Sequence, residues 1–123
     1  MQVLAIAAGG ALGAVLRFWM SNGVYALLGR GFPYGTLAVN VLGSLLMGFL
    51  FVLLIDKFSL GPNWRAALLI GLLGAFTTFS AFSMETLNLI EEGETMKALL
   101  NMGLSVVLCV GAAWAGVLAG RSI

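Results

Sequence analysis

The segment "GAFTTFSAFSMETL" (74–87) concentrates polar side chains inside a long apolar run of the chain. Gly74 and the β-branched Thr77 and Thr78 lower helix propensity near the middle of that run. Serine and threonine can also cap the N-terminus of a new helix. The segment therefore predicts a helix that is broken within the run. The alternative is a continuous helix whose hydroxyl groups bond back to their own backbone.

The composition around this segment is that of a membrane protein. Of 123 residues, 61% are hydrophobic and 9% are charged, whereas a soluble domain carries about 25% charged residues. A net charge of +1 gives no basic surface for nucleic acid. With one cysteine and no histidine, the chain cannot form an internal disulfide or a Cys/His zinc site. The usual parts of an enzyme active site are also missing, so we expect no catalytic activity.

Apolar runs long enough to cross a bilayer, which takes about 20 residues, occur in four places. They cover about residues 3–28, 37–55, 66–90 and 98–119. The connectors "GRGFPYG" (29–35), "DKFSLGPNW" (56–64) and "EEGETMK" (91–97) are short and carry turn or charged residues. The chain is thus predicted to be all-α, with one four-helix transmembrane domain over residues 1–123. The small-residue pairs Gly9/Gly13 and Gly116/Gly120 predict close helix packing.

The distribution of basic residues leaves the orientation in the membrane open. Lys57, Arg65 and Arg121 lie on the predicted side of the termini, and Arg30 and Lys97 lie on the other. A difference of one basic residue hardly biases insertion. The chain is therefore predicted either to insert in both orientations, which permits an antiparallel homodimer, or to adopt one orientation for other reasons.

Polar residues inside the spans need partners, because lipid offers none. Thr36, Asn40 and Ser44 are spaced by four and share one helix face. Asn40 is interpreted either as an interhelical clamp or as a pore-lining donor for an anion. Three roles are considered for Arg17: its side chain reaches the membrane interface, pairs with Glu85, or attracts anions into a vestibule.

Phe79 and Phe82 are three residues apart and share roughly one face of a helix. Such pairs commonly serve in packing. An aromatic ring also has a positive edge, which can contact an anion without binding it as tightly as a fixed cation would.

Three segments together resemble the CrcB/Fluc family of fluoride channels: "GGALGAVLRF" (9–18), "GTLAVNVLGS" (35–44) and "GLLGAFTTFSAFSMET" (71–86). The resemblance implies four transmembrane helices per chain, a broken third helix, and an antiparallel, dual-topology homodimer with two pores. It implies a fluoride pore lined by Asn40, Phe79 and Phe82, with Thr36, Ser80 and Ser83 nearby and Ser105 on the fourth helix.

The resemblance also implies a structural sodium ion at the centre of the dimer. Its ligands would be the backbone carbonyls of Gly74 and Thr77, by their positions in the motif. Ala75 and Ala81 depart mildly from the family pattern.

The function that the resemblance implies is passive export of cytoplasmic fluoride across the bacterial inner membrane, which relieves fluoride toxicity. Its partners would be fluoride, a second copy of the chain and membrane lipid, without nucleic acid. The alternative is a small four-helix proton-coupled multidrug exporter. Such an exporter is expected to carry an acid in its first helix, where this chain has Arg17. The roles of Glu85, Thr86, Asn101 and Cys109 are left open.

Overall fold

The computed structural model describes residues 1–57 and 61–123. Residues 58–60, in the predicted connector 56–64, lie outside the described residues. In chain order the α-helices are α1 (Gln2–Leu28), α2 (Tyr34–Val52), α3 (Pro62–Arg65), α4 (Gly74–Phe76), α5 (Phe79–Glu91) and α6 (Thr95–Ser122). Two π-helical segments accompany them: Leu53–Lys57 continues α2, and Ala66–Leu73 joins α3 to α4.

Among the described residues, four continuous or nearly continuous helical stretches are long and apolar enough to cross a membrane. They are Gln2–Leu28, Tyr34–Lys57, Pro62–Glu91 and Thr95–Ser122. Large apolar side chains on their outer faces are exposed, among them Trp114 and Val107, as expected for helices surrounded by lipid. The predicted all-helical, four-span architecture is confirmed, and the protein is a multi-pass membrane protein.

Glycines permit a close helix contact between α2 and α6. A Cβ atom at Gly48 would collide with the carbonyl oxygen of Ala113, and one at Gly116 with the carbonyl oxygen of Leu45. Backbone therefore lies directly on backbone at both positions. Without a hydrophobic effect between helices in lipid, such close approach supplies the dispersion contacts that hold them together.

A second contact of the same kind joins α1 to the π-helical segment Ala66–Leu73. A Cβ atom at Gly9 would collide with the carbonyl oxygen of Ala67, and one at Gly13 with that of Leu72. Both predicted small-residue pairs contain glycines that lie at close contacts between helices.

Two residues between α4 and α5 are not helical. Thr77 (φ −87°, ψ 157°) and Thr78 (φ −150°, ψ 117°) have extended backbone, so the helical hydrogen-bond pattern ends at Phe76 and starts again at Phe79. The helix after the interruption, α5, packs mainly against α6. Its position is therefore set by few neighbours.

We predict that Gly116→Ala destabilises the protein by about 1–3 kcal/mol, because the added methyl group forces α2 and α6 apart. Gly111→Ala, in the same helix, is the matched control: nothing lies within 4 Å of its Cβ position. That substitution should leave stability unchanged or raise it by up to about 1 kcal/mol. Thermal unfolding in detergent micelles, followed by tryptophan fluorescence, measures both. Equal melting temperatures for the two variants would contradict the backbone contact.

Candidate functional site

The N-terminus of α5 is capped by the residue that precedes it. Thr78 Oγ1 accepts a hydrogen bond from the Ala81 N–H at 3.2 Å. This is the standard geometry in which a threonine hydroxyl satisfies one of the free N–H groups of a helix start. The capping expected from the sequence fixes where α5, with its two phenylalanines, begins.

Asn40 of α2 binds the backbone of the same threonine from the other side. Its Nδ2 donates to the Thr78 carbonyl oxygen at 3.0 Å, and its Oδ1 accepts from the Thr78 N–H at 2.7 Å. The amide side chain thus replaces both helical hydrogen bonds that the extended Thr78 gives up. Asn40 forms the interhelical clamp considered from the sequence, while one N–H of its amide remains for another acceptor.

Gly43, one turn after Asn40, lets the interrupted segment approach α2. A Cβ atom there would collide with the Thr77 side chain and lie 3.2 Å from the Phe76 ring. The motif N-x-x-G in "GTLAVNVLGS" (35–44) therefore places the clamp residue Asn40 and the close-contact residue Gly43 on one face of α2.

A groove of about 400 Å³ opens beside this clamp, between α2, α5 and α6. The described residues that line it are Asn40, Gly43, Ser44, Met47, Thr77, Thr78, Phe79, Phe82, Ser105, Val106, Cys109, Val110 and Ala113. None of them carries a charge. The polar groups of the groove are hydroxyls, an amide and a thiol, surrounded by apolar side chains.

Phe79 and Phe82 form one wall of the groove. Their ring centroids are 5.2 Å apart and their planes are inclined at 44°. Phe79 is 77% exposed, so this wall is open on its outer side in the single chain. The tilt between the rings directs ring edges as well as faces toward their surroundings.

The groove brings together four of the predicted pore residues: Asn40, Phe79, Phe82 and Ser105. The other three are elsewhere among the described residues. Thr36 is buried at 6% exposure, and the Ser83 hydroxyl donates to the Phe79 carbonyl oxygen at 3.0 Å. Ser80 lies 3.3 Å from the Thr78 hydroxyl. The reason is helical geometry, since each serine follows a phenylalanine by one residue and so faces a direction about 100° away.

Thr86 and Asn101, left open by the sequence, belong to one buried hydrogen-bond chain behind the groove. The Thr86 hydroxyl donates to the Phe82 carbonyl oxygen at 2.7 Å, and Asn101 Nδ2 donates to Thr86 Oγ1 at 2.8 Å. The Ser105 hydroxyl donates to Asn101 Oδ1 at 3.5 Å. Both buried polar side chains thus have partners, as the interior of a membrane protein requires.

Arg17 and Glu85 have separate partners. Arg17 Nε donates to the Ala75 carbonyl oxygen at 3.0 Å, and the Tyr25 hydroxyl donates to Glu85 Oε2 at 2.8 Å. The ion pair between Arg17 and Glu85, one of the three roles considered, is not among the salt bridges of the described residues. Arg17 instead donates to a backbone carbonyl within α4. A vestibule role for it stays a prediction.

Two backbone carbonyls at the interruption lose their ordinary helical donors. In a continuous helix the Gly74 carbonyl would accept from the Thr78 N–H, and the Thr77 carbonyl from the Ala81 N–H. The first donor goes to Asn40 and the second to the Thr78 hydroxyl. Oxygen atoms that are free in this way suit a hard cation. The residues described here contain no cluster of three or more His, Cys, Asp or Glu side chains that could hold a metal ion.

The family profile described as "CrcB-like protein, Camphor Resistance (CrcB)" matches residues 4–117. A protein of Methylococcus capsulatus called "Fluoride-specific ion channel FluC" is 58% identical over 123 residues, which are all of this chain and 54% of that protein. The chain thus spans about half the length of that relative. A protein of Magnetococcus marinus with the same name is 54% identical, and the match covers 100% of both chains. One of Geobacter sulfurreducens, also so named, is 49% identical over 98% of each.

These matches include all three segments that carried the resemblance in the sequence. The predicted membership is therefore confirmed: the chain belongs to the CrcB-like protein family.

Proposed function

We propose that this protein is a fluoride-selective channel through which cytoplasmic fluoride leaves the cell down its electrochemical gradient. One observation carries the proposal: the groove of about 400 Å³ joins Asn40, Ser105 and the phenylalanine pair without a charged residue among its described lining. The similar proteins that are named fluoride-specific ion channels support the choice of ion.

The chemistry of the lining suits conduction of a small anion. Hydroxyl groups, the remaining amide N–H of Asn40 and the positive edges of aromatic rings can all face an anion as partial positive charges. A fixed ammonium or guanidinium group would hold the ion too strongly for it to leave, whereas conduction requires binding that is weak enough for release. The groove meets this requirement because its donors are neutral.

Fluoride export down this gradient needs no other energy source. Hydrogen fluoride enters a cell as a neutral acid and dissociates at the higher internal pH, so the anion accumulates inside. A membrane potential that is negative inside drives the anion out, and one charge across 100 mV corresponds to about 2.3 kcal/mol. The proposed location is accordingly the bacterial inner membrane, across which this potential exists.

The proton-coupled exporter is less well supported. Such a protein is expected to carry an acidic residue in its first helix, and the charged residue of α1 is Arg17. Glu85, the carboxylate of the third span, is tied to the hydroxyl of Tyr25. The described lining of the groove therefore contains no acidic residue that could bind a proton beside a substrate.

The interruption at Thr77 and Thr78 is proposed to be the break of the third helix at membrane depth. It lies near the middle, by residue number, of the apolar stretch Pro62–Glu91. Its extended backbone is enclosed by Asn40 and Gly43. This enclosure matches the rule that non-helical backbone is tolerated in a membrane only when protein or a cavity surrounds it.

A structural sodium ion is proposed to bind the carbonyl oxygens of Gly74 and Thr77. These oxygens suit a cation because the two N–H groups that would otherwise donate to them bond to side chains instead. When bound, the ion would supply a positive charge that neutralises these carbonyl dipoles. Two carbonyls from one chain leave a hard cation under-coordinated, and the same two from a second copy would bring the number of oxygen ligands to four.

An antiparallel, dual-topology homodimer in lipid is proposed as the working unit. The exposed outer side of Phe79 is an apolar surface that a second copy can cover. The basic residues support both orientations: Lys97 Nζ donates to the Gly31 carbonyl at 3.1 Å, which groups Lys97 with the neighbouring Arg30 at one end of the bundle. Three basic residues at the other end nearly balance these two.

We predict that the wild-type protein in liposomes conducts fluoride electrogenically without a proton gradient, and that Phe79→Ile or Phe82→Ile lowers this flux at least about tenfold. The loss follows because isoleucine fills similar space but has no polarised ring edge, and about 1.4 kcal/mol of lost stabilisation gives that factor. A fluoride electrode outside fluoride-loaded vesicles records the efflux. Chloride efflux is recorded in parallel and should be far smaller.

The control is Phe51→Ile, a phenylalanine on the exposed face of α2 that is not among the groove-lining residues. It should conduct like the wild type. Absence of electrogenic fluoride flux from the wild type would rule out the channel. Wild-type flux in both groove variants would rule out the pore assignment and leave the phenylalanines as packing residues.

We predict that sodium stabilises the detergent-solubilised protein against heat. A ligand that binds the folded state alone at about 100 times its dissociation constant contributes about 2.7 kcal/mol. Melting temperatures are compared in sodium, potassium and N-methylglucamine salts at equal ionic strength. The melting temperature should be highest in sodium. The same value in all three salts would speak against the carbonyl site.

We predict that a tag at the C-terminus is accessible from both sides of the membrane. In sealed vesicles of one orientation, an added protease should remove the tag from about half of the copies, because the basic residues hardly bias insertion. Permeabilised vesicles, in which all tags are cleaved, provide the control. Cleavage of all tags or of none in the sealed vesicles would exclude dual topology.

A further inference from the structure

Asn101 occupies a special place in α6, because it is the link between two sides of the groove. It is 2% exposed. Its amide nitrogen bonds to Thr86 on α5, and its amide oxygen accepts from Ser105 on its own helix. Neither Thr86 nor Asn101 is among the residues that line the groove, so both act from behind it.

We propose that Asn101 is a positioning residue that sets the distance between the phenylalanine wall and the Ser105 hydroxyl, and thereby the selectivity for fluoride over larger halides. The proposal rests on the proposed channel function and adds to it a residue that does not touch the ion.

The first step is mechanical. Thr86 lies one turn after Phe82 and its hydroxyl donates to the Phe82 carbonyl oxygen at 2.7 Å. A displacement of Thr86 therefore also moves the backbone that carries the Phe82 ring. Because α5 packs mainly on α6, the bond from Asn101 to Thr86 is a direct polar tie between these helices. Interhelical apolar contacts compete with equally apolar lipid. The buried hydrogen bond from Asn101 to Thr86 therefore helps to fix the rotation and distance of α5.

The second step concerns the orientation of the Ser105 hydroxyl. Ser105 lies four residues after Asn101, on the same face of α6, and its side chain lines the groove. Its bond to Asn101 Oδ1 is long, at 3.5 Å, which is beyond the usual range for a hydroxyl donor. This weak contact leaves the Ser105 proton free to turn toward an anion in the groove, while the backbone of α6 keeps Ser105 and Asn101 on one face of the helix.

Selectivity follows from holding both sides at a set distance. A channel that replaces the hydration shell of a small ion discriminates against larger ions when its donors have a limited spacing. If the tie between α5 and α6 is lost, the phenylalanine wall can move outward, where Phe79 is already exposed. The groove then accommodates chloride and holds fluoride less well.

The test uses the wild-type chain of 123 residues and four variants in liposomes, with fluoride and chloride efflux measured on the same preparations. Asn101→Leu keeps the volume but removes both hydrogen bonds, and Thr86→Val keeps the shape but removes the hydroxyl. Each should lower the ratio of fluoride to chloride flux by about three- to twentyfold, the range that interhelical hydrogen bonds in membrane proteins contribute. Thr86→Ser retains the hydroxyl and should restore most of the ratio. Asn88→Leu, on an exposed position of α5, is the matched control with an unchanged ratio.

The flux ratio separates a positioning role from a structural one, because it does not depend on how much protein is correctly folded. A fall in total flux with an unchanged ratio in both Asn101→Leu and Thr86→Val would overturn the inference. If Asn101→Leu does not insert, the pair Thr86→Val and Thr86→Ser decides alone. Equal ratios in these two variants would also overturn it. A wild type without fluoride flux would overturn the proposed function itself, which is a different result.

Discussion

The structure depends on one constraint: a peptide group that leaves the helical pattern inside an apolar span must find a partner within the protein. At the interruption of the third span this partner is Asn40, whose amide binds both the N–H and the carbonyl of Thr78. Without it, two unpaired backbone groups would cost about 1–3 kcal/mol each. The start of α5, the cap by Thr78 and the position of Phe79 all follow from this contact.

The same logic extends along α5, which carries the phenylalanine wall. Each of the three long helices around it contributes one side chain that bonds to the segment from Thr78 onward. Tyr25 of α1 binds Glu85, Asn40 of α2 binds Thr78, and Asn101 of α6 binds Thr86. In lipid, apolar packing alone discriminates weakly between helix positions. These three polar contacts therefore define where α5 lies, and each joins it to a different element.

Much of this was predictable from the sequence, because the deciding signals are local. Hydropathy predicts the four helices, and the resemblance to the family implies the group Asn40, Phe79, Phe82 and Ser105. The partners of Arg17 and Glu85 were not predictable, since both depend on how separate helices are rotated against each other. Spacing along the chain gives relative directions on one helix but no absolute rotation. Thr36, Ser80 and Ser83, expected near the pore, are for this reason not among the lining residues of the groove.

The interruption also links the two proposed ion sites through shared hydrogen bonds. Asn40 takes the N–H of Thr78 away from the Gly74 carbonyl, and the Thr78 hydroxyl takes the N–H of Ala81 away from the Thr77 carbonyl. The side-chain groups that build one end of the groove thus leave free the carbonyl oxygens that suit a cation. A continuous helix would satisfy these carbonyls and would also remove Thr78 from its contact with Asn40. The extended conformation of Thr77 and Thr78 is therefore a common requirement of the two proposed sites.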